Sequence, residues 1–275
     1  MNQDRLTQSY LTDLGLAPAR PSRRLLEEIQ RRHLAKYSFN SLAVVQGKDI
    51  GIDSQSVFEK IVRQGRGGYC FEHNKLTFDA LQALGFEVRL LLARVVYNRD
   101  IDVPRTHRLS LVLLDGERYL VDTGFGHLGP LLPVRLTPGL IQEQGDGRYR
   151  IMADDRGHYQ LQIVKDGAFF SLYRFDLGHY SEADCLPSHF YSHKYPGAGF
   201  VNNLVASLRR ENDTWSLKNG ELRHLTGTAV QTFTLDSAKQ LRERLADCFA
   251  LAVSPAEAKD LFARFILPGL GEQAG

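Results

Sequence analysis

The sequence has few of the features that mark membrane, nucleic-acid-binding or disulfide-rich proteins. Its 275 residues include three cysteines, one tryptophan and two methionines, and 34 Lys and Arg nearly balance 32 Asp and Glu. A net charge of +2 without a basic stripe argues against nucleic acid as the main partner. The longest apolar stretch, at residues 90–96, is interrupted by Arg94 and falls well short of the ~20 residues that span a bilayer. A membrane-embedded role is therefore excluded.

The remaining composition is typical of a globular protein, with 43% hydrophobic and 24% charged residues. Residues 1–5 lack a basic segment followed by an apolar one, so no export signal is expected and we place the protein in the cytoplasm. Cys70, Cys185 and Cys248 cannot all pair with one another, and in a reducing compartment they are expected to be free thiols.

Helical and β patterns alternate along the chain in three blocks. Pro21 and Ser22 open a segment with apolar residues at helical spacing, and a second helix is predicted from about Cys70 to Leu84, closed by Gly85. From residue 86 the period changes to two. Antiparallel strands are predicted there, joined by turns that contain Asp-Gly or Arg-Gly pairs, at residues 115–116, 146–147, 156–157 and 166–167.

After a hairpin-like stretch near residues 221–235, the sequence returns to helix. Ser237 with Gln240, and Ser254 with Glu257, fit the pattern of helix capping boxes. We therefore predict an α+β fold in three domains. A helical bundle occupies residues 1–86, an antiparallel β-barrel or sheet residues 87–200, and a mixed α/β lid residues 201–275.

Residues 66–72, Arg-Gly-Gly-Tyr-Cys-Phe-Glu, place Cys70 where a glycine-rich loop becomes a helix. A helix N-terminus carries unpaired N–H groups and partial positive charge, which stabilise a thiolate and donate to an oxyanion formed beside it. Cys70 is thus a candidate nucleophile. The alternative is a small buried hydrophobic residue, and a nucleophilic thiol also requires a base and a group that orients it.

Residues 105–122 predict a hairpin that carries those partners. If Asp115 and Gly116 form a type I′ turn, paired residue numbers sum to 231 and Asp122 faces Leu109. His107 then shares a face with Asp122 as its diagonal neighbour, close enough for an imidazole to meet a carboxylate. A register slip of one residue would separate them, and the two residues would then have no shared role.

These segments resemble the arylamine N-acetyltransferase family over nearly the whole chain. Residues 66–72 are similar to the family's active-cysteine motif, Thr106 and His107 to its histidine strand, and residues 121–126 (Val-Asp-Thr-Gly-Phe-Gly) to its aspartate strand and following loop. The resemblance implies a cysteine-protease-like Cys-His-Asp core with Cys70 as nucleophile, His107 as base and Asp122 as the orienting group.

The implied reaction is ping-pong transfer of acetyl from acetyl-CoA, through a thioester on Cys70, to an aromatic amine or hydrazine, as in xenobiotic metabolism. Acetyl-CoA is then a cosubstrate, and no metal, nucleic acid or membrane is needed. The resemblance also suggests that Phe39, Phe125 and Phe200 line the acceptor pocket and that Thr106 and Gly126 lie near the CoA arm.

The chain departs from the family pattern at two places. Residues 38–42 read Ser-Phe-Asn-Ser-Leu where the family commonly has Pro-Phe-Glu-Asn before a Leu, so Arg66 lacks the expected carboxylate and must find another partner or a looser arrangement. His73 occupies a position often filled by Gln. Both changes are expected to alter the pocket rather than the three catalytic candidates.

Three other functions share the same features. A transglutaminase-like or papain-like hydrolase uses the same Cys, His, Asp order with water as acceptor, and an amide synthase that closes macrocycles shares the three residues. A non-catalytic binding module is the third.

Cys185, His189 and His193 have helical spacing that could gather metal ligands on one face. The flanking Pro187 and Pro196 favour a loop or short helix over a metal site.

Overall fold

The structure is a computed structural model that describes residues 2–145 and 147–272. The helices in these residues are α1 Gln3–Asp13, α2 Arg23–Lys36, α3 Leu42–Val45, α4 Ser54–Phe58, α5 Cys70–Ala83, α6 Glu182–Lys194, α7 Gly199–Asn202, α8 Ala238–Phe249, α9 Pro255–Phe265 and α10 Leu267–Glu272. A π-helical turn, Glu59–Arg63, follows α4 directly. None of the helices in the described ranges is both long enough and apolar enough to cross a bilayer.

The strands form two antiparallel sheets. They are β1 Phe39–Asn40, β2 Glu87–Val95, β3 His107–Leu114, β4 Glu117–Val121, β5 Val134–Arg135, β6 Gln142–Gln144, β7 Gly147–Ala153, β8 Tyr159–Lys165, β9 Ala168–Phe175, β10 Val205–Arg210, β11 Asp213–Lys218, β12 Glu221–Thr226 and β13 Ala229–Thr234. The larger sheet has the order β5-β4-β3-β2-β9-β8-β7-β6, and the smaller one β1-β10-β11-β12-β13.

The N-terminal helices follow the capping signals in the sequence. Ser22 caps α2 by accepting a hydrogen bond from the backbone N–H of Leu25 at 3.2 Å. α5 begins at Cys70 and ends before Gly85, whose φ of +85° suits the left-handed position after a helix. α1, α2 and α5 bury their apolar faces in one core, which also receives side chains from β3 and β4. The predicted helical N-terminal block is confirmed.

The hairpin of β3 and β4 has the register that the sequence predicts. Asp115 and Gly116 have φ of +51° and +76°, as a type I′ turn requires, and Leu114 pairs with Glu117. Paired residue numbers therefore sum to 231 up to Ser110, which pairs with Val121 at the end of β4. Asp122 follows immediately, and His107 lies at the start of β3, so both residues are at the same end of the hairpin.

The larger sheet is nearly closed into a barrel. An isolated bridge between Pro138 and Ile151 links the segment after β5 to β7, and the enclosed side chains form an apolar core of their own. The predicted turns at residues 156–157 and 166–167 join β7 to β8 and β8 to β9. For the turn predicted at residues 146–147, Asp146 lies outside the described residues. These features confirm the α+β class with a central antiparallel barrel or sheet.

The smaller sheet is more extensive than the sequence analysis predicts. The hairpin near residues 221–235 is present as β12 and β13, but β10 and β11 precede it, and β1 joins the edge by pairing Phe39 with Ser207. Ser237 and Ser254 cap α8 and α9 as predicted. The division into domains at residues 86 and 200 stays a prediction.

Candidate active site

Cys70 lies at the first position of α5, after a loop that packs tightly against β1. Gly67 in this loop has φ +58°, and a Cβ there would lie 2.0 Å from the carbonyl oxygen of Ser38, so only glycine fits. The carboxylate of Glu72 accepts a hydrogen bond from the backbone N–H of Tyr69 at 3.1 Å and another from Lys60 Nζ at 2.6 Å. These contacts fix the loop-to-helix junction.

The Cys70 side chain points toward the strand that carries His107. Its Sγ lies 3.5 Å from the carbonyl oxygen of Thr106, the residue immediately before His107. Gly124 also packs so closely that a Cβ on it would lie 2.8 Å from the Cα of Cys70. The three predicted residues therefore come from three neighbouring segments: the start of α5, the start of β3 and the loop after β4.

His107 and Asp122 form a buried hydrogen-bonded pair. Nε2 of His107 lies 2.7 Å from Oδ2 of Asp122, and both side chains are at most 2% exposed. Because Asp122 engages Nε2, Nδ1 is the ring nitrogen left to exchange a proton with a thiol. The predicted contact between these two side chains is confirmed, and their catalytic roles stay predictions.

Asp122 is held ionised by its hydrogen bonds. Burial by itself would raise the pKa of this carboxyl, but His107, the Asn74 amide and the backbone N–H of Gly124 together lower the pKa below its ordinary value. Asn74 Nδ2 donates to Oδ1 at 2.9 Å, and the N–H of Gly124 donates to the same oxygen at 3.0 Å. An ionised Asp122 can accept the hydrogen bond from Nε2–H of His107 and so fix the orientation of the ring.

The pKa of the Cys70 thiol differs from expectation. A helix N-terminus is expected to lower its pKa, but burial raises the pKa of this thiol, and hydrogen bonds with the Arg108 and Phe71 backbone offset that effect only in part. Burial therefore disfavours a free thiolate at Cys70, and a base within reach of the thiol is needed to make it nucleophilic.

The three aromatic residues predicted to line the acceptor pocket lie in two places near Cys70, His107 and Asp122. The ring of Phe125 meets that of His107 edge-on at 5.1 Å between centroids. Phe39 and Phe200 lie together at 5.8 Å, and Phe200 meets Tyr69 at 5.6 Å. Phe125 thus contacts a predicted partner of Cys70, and Phe200 contacts Tyr69, the residue before Cys70.

Thr106 and Gly126, the predicted neighbours of the CoA arm, also lie at this site. The Thr106 carbonyl faces Cys70 Sγ, as described above. Gly126 has φ +84°, and a Cβ there would lie 3.4 Å from the ring of Phe39. Their contacts with CoA stay a prediction.

The missing carboxylate near Arg66 has a replacement from another part of the chain. A guanidinium nitrogen of Arg66 lies 3.9 Å from Oε1 of Glu257 on α9. Asn40 stands where the family usually has Glu, and its Nδ2 donates to the Arg66 backbone carbonyl at 3.0 Å. The expectation that Arg66 finds another partner is confirmed.

Sequence reasoning missed Asn74 and Gln30. Asn74 lies one helical turn after Cys70, and its Oδ1 accepts a hydrogen bond from the N–H of Thr123 at 2.9 Å while its amide holds Asp122. Gln30 on α2 is fully buried, and its Oε1 accepts from the backbone N–H of Asp122 at 3.4 Å. Asn74 could have been found, because a residue four positions after a helical nucleophile lies on the same face.

The residues that the structure describes contain no group of three or more His, Cys, Asp or Glu side chains able to hold a metal ion. Cys185, His189 and His193 lie on α6, a 13-residue helix that includes Pro187. His189 already uses both ring nitrogens: Nδ1 accepts from the Tyr69 hydroxyl and Nε2 donates to the Ile50 carbonyl.

Comparison with known sequences identifies the family. The model of a family described as N-acetyltransferase matches residues 24–258. An arylamine N-acetyltransferase of Escherichia coli is 34% identical, over 84% of this chain and 83% of its own length. An arylamine N-acetyltransferase / N-hydroxyarylamine O-acetyltransferase of Salmonella typhimurium is 32% identical, over 90% of this chain and 89% of its own.

Solved structures give the same result. The arylamine N-acetyltransferase from Salmonella typhimurium superposes with a TM-score of 0.89 at 29% identity, covering 94% of this chain and 98% of its own. That of Mycobacterium marinum, in complex with CoA, has a TM-score of 0.88 at 26% identity, covering 94% and 99%. Sequence, fold and site geometry agree, and the chain belongs to the arylamine N-acetyltransferase family of acyltransferases.

Proposed function

We propose that this enzyme transfers acetyl from acetyl-CoA to the nitrogen of an aromatic amine or hydrazine through a thioester on Cys70. The observation that carries the proposal is the buried, ionised Asp122, which holds His107 at 2.7 Å beside the strand end that faces Cys70. A carboxylate that orients an imidazole next to a thiol is the arrangement of nucleophilic cysteine catalysis.

In the first half-reaction, His107 Nδ1 takes the thiol proton while Cys70 Sγ attacks the thioester carbonyl of acetyl-CoA. The S–C bond to CoA then breaks, and the proton moves from His107 to the departing CoA thiolate. Acetyl-Cys70 and free CoA are formed. Because burial raises the pKa of the thiol, a base that acts during attack is needed for this step.

In the second half-reaction, the amine nitrogen attacks the acetyl carbonyl on Cys70 and gives its proton to His107. The C–S bond breaks, Cys70 regains a proton, and the amide leaves. An arylamine is neutral and nucleophilic at neutral pH, whereas alkylamines are mostly protonated there. Aromatic acceptors are therefore favoured over aliphatic ones.

The aromatic side chains suit such an acceptor. We assign Phe39, Phe125 and Phe200 to the acceptor pocket because Phe125 contacts His107 and the other two lie against each other beside Tyr69. Thr106 and Gly126 are assigned to the CoA arm. A structural relative described as a complex with CoA supports acetyl-CoA as the donor.

The cytoplasm is the proposed compartment. All three cysteines are free thiols in the structure, and Cys70 chemistry requires a reduced sulfur, which a reducing compartment preserves. The three-domain division, with Cys70 in residues 1–86 and the His107–Asp122 pair in residues 87–200, is part of the same proposal.

The test is to measure CoA release and acetylated product together, with acetyl-CoA as donor and 4-aminobenzoate as acceptor. Transfer predicts one acetylated amine for each CoA released, and little CoA release without amine. Continued CoA release without amine, with acetate as product, favours the hydrolase. Failure of every small arylamine, with turnover of a large tethered aromatic amine, favours the amide synthase.

A further inference from the structure

A chain of hydrogen bonds between four buried residues lies behind the site. The Tyr10 hydroxyl is 2.7 Å from His33 Nδ1, and His33 Nε2 is 2.7 Å from His73 Nδ1. His73 Nε2 is in turn 3.2 Å from the Ser38 carbonyl oxygen. Tyr10, His33 and His73 are fully buried, and Ser38 is 3% exposed.

The direction of every bond in this chain is determined. The Ser38 carbonyl can only accept, so Nε2 of His73 carries a proton and donates it. If His73 is neutral, its Nδ1 accepts from Nε2–H of His33. A neutral His33 then presents Nδ1 as an acceptor for the Tyr10 hydroxyl.

Both histidines are neutral at neutral pH. Burial lowers the pKa of His33 well below its ordinary value, and burial lowers the pKa of His73 to about 4. A proton added to Nδ1 of His73 would also point directly at the N–H of His33. Hydrogen bonding and burial therefore favour the same neutral tautomers.

The far end of the chain reaches the candidate active site. The Ser38 carbonyl also accepts from the backbone N–H of Gly68, two residues before Cys70, at 3.3 Å. The His73 ring stacks on that of Phe39 at 6.2 Å with 25° between the ring planes. Phe39 thus contacts both His73 and Phe200.

We propose that His73 is a positioning residue for the acceptor step, which fixes Phe39 through ring stacking and through the Ser38 carbonyl, and is itself oriented by His33 and Tyr10. This inference rests on the proposed function, because it assigns Phe39 to the acceptor pocket. His73 touches no reacting atom and acts through Phe39. Its loss is therefore expected to weaken acceptor binding more than acetylation of Cys70.

Glutamine is the matched replacement. Its Oε1 accepts, as Nδ1 of neutral histidine does, and its amide nitrogen donates, as Nε2–H does. His73→Gln keeps the direction of the chain, whereas His73→Leu fills similar space but leaves the N–H of His33 and one bond of the Ser38 carbonyl unmade. The two variants separate polarity from volume.

The experiment measures the two half-reactions separately in the wild type, His73→Gln, His73→Leu and Tyr10→Phe. Intact mass follows the acetylation of Cys70 by acetyl-CoA, and stopped-flow mixing with 4-aminobenzoate follows its discharge at increasing amine concentration. His73→Leu is expected to raise the half-saturating amine concentration about tenfold, with acetylation changed less than about twofold. His73→Gln restores the wild-type value, and Tyr10→Phe has a smaller effect. His158→Leu, at an exposed histidine, is the control for the substitution itself.

Three results would overturn the proposal. In the first, His73→Leu slows both half-reactions equally. In the second, His73→Leu leaves the dependence on amine concentration unchanged. In the third, His73→Gln is folded but behaves like His73→Leu. Melting curves of each variant establish that it is folded at the assay temperature. If the wild type is not acetylated by acetyl-CoA, the proposed function fails instead, and the two failures are distinguishable.

Discussion

Gly124 packs directly on the backbone of Cys70. A Cβ on Gly124 would lie 2.8 Å from the Cα of Cys70 and equally close to Nδ2 of Asn74. The loop that follows Asp122 can reach α5 only because this residue has no side chain, and that approach brings the aspartate segment against the helix that carries the cysteine.

We expect Gly124→Ala to impair both stability and activity. The added methyl group forces the loop away from α5, at a cost of about 1–3 kcal/mol in the free energy of unfolding, and misplaces Asp122. Denaturant unfolding and the rate of Cys70 acetylation measure the two effects. Gly269→Ala is the matched control, since nothing lies within 4 Å of a Cβ built there. Equal behaviour of the two variants would refute the role given to the close contact.

Asn74 is expected to contribute to catalysis through Asp122. Asn74→Ala removes an amide that donates to the buried carboxylate, a charge-assisted hydrogen bond worth about 1.5–3 kcal/mol. We predict a roughly 10–100-fold lower kcat/KM. The pKa of Asp122 should rise, so the acidic limb of the pH profile of kcat/KM should move to higher pH. A lower rate with an unmoved acidic limb would mean that Asn74 supports only the fold.

Buried neutral histidines predict a loss of stability in mild acid. Burial lowers the pKa of His73 and of His189 to about 4 in the folded protein, while the unfolded chain titrates near the ordinary value of about 6.5. Between these values the unfolded state binds more protons, so the free energy of unfolding falls as pH decreases. The fully buried His73 alone accounts for a loss of about 2 kcal/mol between pH 7 and pH 5.

Urea unfolding at a series of pH values tests this prediction. His73→Gln and His189→Gln should each flatten the dependence between pH 7 and pH 5, and the double variant should flatten it further. A slope that is the same in all variants would contradict the assignment.

Asn40 is predicted to matter more than Glu257 for the loop around Arg66. Asn40 is buried, donates to the Arg66 carbonyl and accepts from the N–H of Leu42 at 3.0 Å, so Asn40→Ala should cost about 1–3 kcal/mol in unfolding free energy. The Arg66–Glu257 pair is partly exposed, so Glu257→Gln should change the free energy of unfolding by less than about 1 kcal/mol. Thermal unfolding of the two variants compares their losses of stability. A larger loss in Glu257→Gln than in Asn40→Ala would contradict this ranking.

Local signals predicted the parts of the site that depend on local geometry. The Asp115–Gly116 turn fixes a two-residue connection, and hence the register that brings His107 to Asp122. The glycine-rich loop likewise predicted that a helix begins at Cys70. In each case the residues that determine the conformation are adjacent in sequence.

Contacts between distant segments escaped prediction. β1 pairs Phe39 with Ser207, and His33 meets His73 across two helices; neither pairing leaves a periodic pattern in the sequence. Pro187 indicated a boundary, yet α6 continues through it, because tertiary packing overrides local preference. The raised pKa of Cys70 depends on burial, which its position at a helix N-terminus does not reveal.

The most direct test of the account is the mass of the protein after incubation with acetyl-CoA alone. We predict one added acetyl group, located on Cys70 by peptide mapping, removed by an arylamine, and absent in Cys70→Ala and His107→Ala. If Cys70 remains unmodified while it still reacts with iodoacetamide, the thiol is reactive but acetyl-CoA is not its donor, and the proposed transfer is contradicted.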